Sequence, residues 1–290
     1  MDNLKGKTFV VTGATGREGS AVVRHLLHGG AQVKGLTRNP QSKKAKRIAN
    51  LGAELVIGDL NDLNRLKTVL QGAAGVYSMQ NPYTSSFAAE IQQGKNVADA
   101  ARATGIAHIV QGSAGFGEKT GIPSWDSKLE IQEYMQSLGL PLTVLRPTAF
   151  MELISDPGFY PMASTFHHMP RLIGADKKLT WLAIDDLGAI AARVFNDPQK
   201  YVGQDIKLAS DLQTINEVRA LYQEVLGRKA PHFPMPEFMF RFFTGDDLII
   251  MWKYLGTTNY DWLTTDATLA ILPGAQTVRT WLGKQKLKDS

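Results

Sequence analysis

The chain has no cysteine among its 290 residues, which removes disulfides, thiolate metal sites and cysteine nucleophiles together. No uninterrupted apolar run approaches the ~18 residues of a membrane span, and Met1-Asp2-Asn3-Leu4-Lys5 leads straight into a strand-like segment rather than a signal sequence. A cytoplasmic protein that engages no membrane is therefore expected. Internal repeats and low-complexity tracts are lacking, as are finger spacings and interleaved aromatic and basic residues, so no nucleic acid is expected as a partner. A metal is not expected either. Neighbours such as His167 and His168 point ~100° apart on a helix, no nearby carboxylate pattern completes a site, and the pair reads as surface or cleft-lining histidines.

What is present is an alternation. Short β-branched runs near residues 8–12, 32–37, 54–57, 75–79, 108–111 and 142–145 alternate with helix-length amphipathic segments at 17–28, 41–51, 63–70, 86–103 and 127–138. Such alternation predicts an α/β fold with a doubly wound parallel sheet covered on both faces. Beyond Arg146-Pro147 the pattern fades into a stretch richer in proline and aromatics, with a strand expected near 178–181 and helices near 186–195 and 214–226. The expected organisation is a dinucleotide-binding domain over 1–150 and a smaller C-terminal α+β substrate lobe over 151–290, interleaved with the first. Asp185-Asp186 reads as the opening of a helix at Leu187, with paired-carboxylate catalysis as the lesser alternative. The apolar segment 233–243 reads as a buried helix packing the lobe, or as a lid over an aromatic ligand.

The stretch Thr12-Gly13-Ala14-Thr15-Gly16-Arg17-Glu18-Gly19 follows the first strand and opens the first helix. Its first glycine permits a tight turn, the second lets a phosphate approach the main chain, and the third permits close helix packing, while the helix N-terminus offers N–H donors. A dinucleotide pyrophosphate fits such a loop. Arg38 stands at the end of the second strand, 19 residues beyond Gly19, and no acidic residue occurs between Arg24 and Glu54. A guanidinium there, with Lys43 or Lys44 adding a second charge, selects the 2′-phosphate of NADP(H) over the 2′-hydroxyl of NAD. The alternative is a solvated basic turn, since much of the net charge of +5 gathers in Arg38, Lys43, Lys44, Lys46 and Arg47.

The glycine spacing, with Leu36-Thr37-Arg38-Asn39-Pro40, Gly58-Asp59-Leu60-Asn61-Asp62 and the run from Arg146 to Leu153, resembles the NmrA-like family of atypical short-chain dehydrogenases/reductases. The resemblance extends from Lys7 to about Leu282. It implies a Rossmann domain binding NADP(H) with a small substrate lobe. It also implies either an NADPH-dependent oxidoreductase or a non-catalytic NADP sensor that acts through a protein partner. Carried over residue by residue, it places Gly13, Thr15, Gly16, Arg17, Glu18 and Gly19 on the pyrophosphate side and Asp59 with Leu60 at the adenine. Gln80, Asn81 and Pro82 then lie along the ribose and pyrophosphate, and Phe150, Met151 and Glu152 over the nicotinamide end. As a bare motif, Gly58-Asp59 reads equally as a turn and helix cap.

Short-chain dehydrogenases use a tyrosine as general acid and a lysine one helical turn later. Lys128 matches that lysine, Ser113 matches the dehydrogenase serine, and Ser124 stands where the tyrosine would be. Without a phenol, ketone reduction by the usual route is not expected. A small apolar or aromatic acceptor that stabilises its own anion, such as a quinone or enone, is the expected substrate, with Lys128 holding the nicotinamide ribose and stabilising negative charge. Tyr83 is an alternative donor, and a homodimer is left open.

Overall fold

The computed structural model describes residues 1–156, 158, 164–260 and 263–289. Its elements run β1 (Thr8–Val11), α1 (Arg17–His28), β2 (Gln32–Thr37), α2 (Lys43–Asn50), β3 (Glu54–Ile57), α3 (Leu63–Leu70), β4 (Gly75–Ser78), α4 (Phe87–Thr104), β5 (Ile109–Gly112), α5 (Pro123–Ser137) and β6 (Leu142–Pro147). There follow β7 (Ala149–Phe150), β8 (Leu179–Leu182), α6 (Ile184–Asn196), α7 (Pro198–Tyr201), β9 (Asp205–Leu208) and β10 (Asp211–Gln213). The last helices are α8 (Ile215–Leu226), α9 (Glu237–Thr244), α10 (Asp247–Thr257), α11 (Asp266–Ile271) and α12 (Val278–Asp289). Among the described residues no helix is long and apolar enough to cross a membrane.

The chain divides into two compact units, Met1–Pro147 with Ile184–Ile206, and Thr148–Ala183 with Lys207–Ser290. The first carries a seven-stranded sheet in the order β3-β2-β1-β4-β5-β6-β9. Neighbouring strands from β3 to β6 pair in parallel, with Val10 opposite Lys34 and Val76, and Val110 opposite Tyr77 and Thr143. This is the doubly wound arrangement expected from the alternation, and its order reverses between β1 and β4, where such sheets place their ligands. Buried strands read as continuous apolar runs because both faces are covered: Phe9, Val10 and Val11 on β1 are all buried, as are Val76, Tyr77, Ile109 and Val110. Helix α6 packs against α1 so closely that a Cβ on Gly188 would stand 2.6 Å from the Ala21 backbone.

The helix starts follow local chemistry. Ser42, Asp62 and Ser86 each accept a hydrogen bond from the backbone three residues on, capping α2, α3 and α4. Helix α5 begins four residues ahead of the expected 127, because Pro123 is suited to a first helical position. Helix α6 likewise opens at Ile184. Asp185 is therefore not a flanking cap but a first-turn residue, bonded to Arg24 at 2.5 Å and His25 at 2.8 Å on α1.

The second unit holds a three-stranded sheet, β10-β8-β7, with β10 antiparallel and β7 parallel to β8. Two expectations need correction here. In the segment 233–243 only Phe240 of the α9 phenylalanines is buried, stacked 5.7 Å from Trp252, while Phe238, Phe242 and Phe243 are 73%, 85% and 64% exposed. A helix of eight residues presents one side to its support, and four phenylalanines exceed that side. His167 and His168, expected at a surface or cleft, are buried. The His168 ring lies 4.2 Å from Phe240, and His167 Nε2 is 3.1 Å from the Met235 carbonyl.

Candidate dinucleotide and reduction site

Thr12 fixes the ends of the two strands at the reversal point. Its hydroxyl accepts from the Met79 N–H at 2.7 Å and donates to the Met79 carbonyl at 2.9 Å. The chain then turns through Gly13 at φ +61°, a conformation that favours glycine, and Gly16 N–H closes onto the Gly13 carbonyl at 2.8 Å. Gly16 caps α1 without a side chain to offer its first-turn N–H groups, which leaves an anion-seeking helix end. A Cβ on Gly19 would meet the Gly13 carbonyl oxygen at 2.3 Å. The close approach at Gly19 is thus to the loop's own backbone rather than to the sheet. These glycines form a cradle that side chains would fill, and a pyrophosphate fits it.

Arg38 is exposed on the connection after β2, Lys43 and Lys44 are exposed at the start of α2, and none pairs with an acid among the described residues. The connection is shaped by Thr37 Oγ1 accepting from Asn39 N–H and by Asn39 Oδ1 accepting from Gln41 N–H. Asp59 is not the cap of α3, which is Asp62; its Oδ1 accepts from the Asn61 backbone at 2.9 Å and side chain at 2.7 Å. The Leu60 carbonyl accepts from Asn96 at 2.8 Å.

Beyond β4, Gln80 and Pro82 are buried, and Asn81 shapes the turn by accepting from the Tyr83 N–H. Lys128 on α5 reaches this edge. It is 8% exposed, and its Nζ donates to Glu90 Oε1 at 2.7 Å and to the Gln80 carbonyl at 3.2 Å. Glu90 on α4 is fully buried and accepts from Ser127 through its second oxygen at 2.5 Å. The pair is completed by hydrogen bonds, as a buried ion pair must be. Sequence reasoning missed Glu90. Its signal was a lone acid in register with Gly94 and Val97 on the buried stripe of α4, a position an acid takes only with a partner.

Glu18, partly buried on the first turn of α1, lies within electrostatic reach of both Lys128 and the Tyr77 hydroxyl. Burial pushes its carboxyl up to about 7, with the Lys128 cation pulling the other way. Tyr77 is fully buried, its hydroxyl has no hydrogen-bond partner among the described residues, and burial followed by the Glu18 charge holds its pKa well above the usual phenol value. A Cβ on Gly112 would stand 2.6 Å from that oxygen.

Ser113 does not join Lys128. Its hydroxyl accepts from Arg146 Nη1 at 3.1 Å, within a cluster in which Arg146 also binds Asp205, Gln132 and the Ala114 carbonyl. Ser124 is buried on the first turn of α5, and the Tyr83 side chain is exposed. Phe150, Met151 and Glu152 belong to the second unit. Phe150 pairs with Leu182 on β8, Met151 is buried, and the Glu152 carbonyl accepts from Asp156 at 2.9 Å.

The model of the NmrA-like family matches residues 5–282. An NmrA-like family domain-containing oxidoreductase from Cladobotryum sp, FrzB, is 28% identical over 257 residues, covering 79% of this chain and 76% of its own. Among solved structures, NmrA, described as a negative transcriptional regulator and crystallised with NADP, superposes with a TM-score of 0.80 at 21% identity, covering 98% of this chain and 97% of that one. The Citrobacter sp. triphenylmethane reductase complexed with NADP(H) gives 0.78 at 23% identity, covering 96% and 99%. At these identities the structures share the fold.

Proposed function

Because the chain belongs to the NmrA-like family, we propose that it is an NADPH-dependent oxidoreductase that passes hydride to a small, apolar, conjugated acceptor such as a quinone or an enone. The observation that carries this reading is Lys128: a buried ammonium fixed by Glu90 and the Gln80 carbonyl at the strand edge where the glycine cradle opens. The oxidoreductase relative and the NADP(H)-bound reductase of the same fold support it.

In this reading Gly13, Gly16 and Gly19 hold the pyrophosphate on the N-terminus of α1, and Arg38 with Lys43 receives the 2′-phosphate of the coenzyme. Bound NADPH supplies the hydride. Lys128 does not travel; it presents fixed positive charge toward the oxygen on which negative charge develops, and a preorganised charge of this kind needs no rearrangement during the reaction. Serine at 124 in place of a phenol restricts the acceptors to those whose reduced anion is itself stabilised.

A second reading is favoured by that same serine and by the likeness to a transcriptional regulator: a sensor that binds NADP without turnover and acts through a protein partner. Loss of NADPH absorbance with a panel of quinones, enones, aldehydes and triarylmethane dyes separates the two. Turnover of a conjugated acceptor is expected. Silence across the panel with NADP binding intact would assign the sensor.

A further inference from the structure

Helix α9 turns most of its aromatic side chains to the outside. At ~100° per residue, Phe238, Phe242, Met239 and Phe243 follow one another around about 140° of the helix, the three rings 64% to 85% exposed and Met239 40% exposed. Phe242 and Phe243 meet edge to face at 5.5 Å, so the outer side chains make a surface with one another. Phe240 alone points inward. It is fully buried, with its ring 4.2 Å from His168 and stacked 5.7 Å from Trp252. Two ion pairs hold the helix in this orientation: Lys253 on α10 donates to Glu237 at 3.0 Å, and Arg241 pairs with Asp246.

The size of this surface is informative. With about 200 Å² for a whole aromatic side chain, the three outer phenylalanines and Met239 together leave about 500 Å² of apolar surface in water. A monomer's largest apolar patch is about 300–600 Å² and is often functional. One partner's side of a standard protein interface is about 800 Å², about 60% of it apolar, so the four side chains supply that apolar share almost whole.

Charge decides what the surface meets. Over residues 237–257 the exposed charged side chains are Glu237, Arg241, Asp246 and Lys253, two of each sign, already paired with each other. A neutral surface draws in neither an anionic bilayer nor a strongly charged partner. It does not repel a copy of itself.

We propose that this side of α9 is a dimer interface: a second copy of the chain, related by a two-fold axis, packs its own Phe238, Met239, Phe242 and Phe243 against it. A two-fold contact requires a patch that complements itself, and an apolar helix side with no net charge meets that requirement. The inference does not depend on the reductase reading.

Sedimentation velocity of the full-length protein at about 50 µM is expected to show a species of twice the 31.8 kDa chain mass, with a dimer Kd of ~10 µM or tighter. Phe242→Glu puts a carboxylate from each copy into the apolar centre and should raise that Kd at least ~30-fold, the effect of losing an interface hot spot. Phe243→Lys tests the same side with the opposite charge and should weaken the dimer likewise, whereas Phe242→Leu should keep it. Because the substituted rings are exposed, far-UV circular dichroism should be that of the wild type in all three, which separates a lost interface from a lost fold. A wild type that sediments as a single chain at this concentration would overturn the proposal, as would a dimer whose Kd neither charged variant changes. A single-chain wild type that instead co-sediments with vesicles of phosphatidylserine and phosphatidylcholine would overturn it in favour of a bilayer surface.

Discussion

Two cations are buried in the first unit, and they are held in different ways. Arg146, 1% exposed, uses all five of its N–H donors: Nε and Nη2 on Asp205, Nη1 on Ser113 and the Ala114 carbonyl, Nη2 again on Gln132. Lys128 uses two of its three, on Glu90 and the Gln80 carbonyl, and its third finds no acceptor among the described residues. A saturated cation has nothing left for a ligand and serves to hold β5, β6, α5 and the start of β9 together. An unsaturated one, fixed at the edge where the strand order reverses, retains charge and a donor for chemistry.

Substitution at the saturated site should give the largest loss of stability. Arg146→Ala strips Asp205 and Gln132 of their partner, and breaking a buried pair costs about 3–5 kcal/mol. Denaturant unfolding of the variant should show this. A loss within 1 kcal/mol of zero would erase the distinction between the two sites from the structural side.

Lys128→Met should act mainly on turnover. A drop of about 100-fold in kcat is expected from removing one preorganised electrostatic donor, with NADPH affinity changed far less. The stability cost should stay below that of Arg146→Ala because Lys128 gives up two hydrogen bonds where Arg146 gives up five. Unchanged kcat would remove Lys128 from the mechanism.

Arg38→Ala sharpens the comparison at a third, exposed cation. It should weaken NADPH binding about 10- to 100-fold, as expected for the loss of a charge-assisted phosphate contact, and leave NADH binding nearly unaltered. Equal losses for both coenzymes would contradict the 2′-phosphate assignment.

The smallest effect is expected at Asp185, a half-exposed partner of His25 and Arg24. The hydrogen bond from His25, then that from Arg24, holds its carboxyl below the usual range. A depressed carboxyl stabilises the fold above its unfolded pKa and loses that contribution as pH falls through the folded value. Asp185→Asn should therefore cost at most about 1 kcal/mol at pH 7 after solvent screening, with the difference from wild type shrinking below pH 4. A difference that grew with acid would reverse the sign.

The strands β1 to β6 were legible in the sequence because a sheet covered on both faces writes itself as uninterrupted apolar runs, Phe9-Val10-Val11 being the clearest. The glycine loop was legible because its spacing is tied to a strand before and a helix after. Less legible was anything fixed by partners far apart in sequence. Glu90 and Lys128 are 38 residues apart, and Arg146 and Asp205 are 59 apart; neither pairing has a local pattern. Ser113 looked free for chemistry for the same reason, since nothing near it in the chain announces Arg146. The α9 aromatics misled because composition signals burial without saying how many rings one short helix can cover.

The account depends first on the cradle and on Arg38 receiving the same coenzyme. Calorimetric titration of the purified protein with NADPH and then NADH tests this most directly. Saturable binding of NADPH, tighter than that of NADH by at least tenfold, is the predicted result. Binding of neither coenzyme would contradict the account at its base.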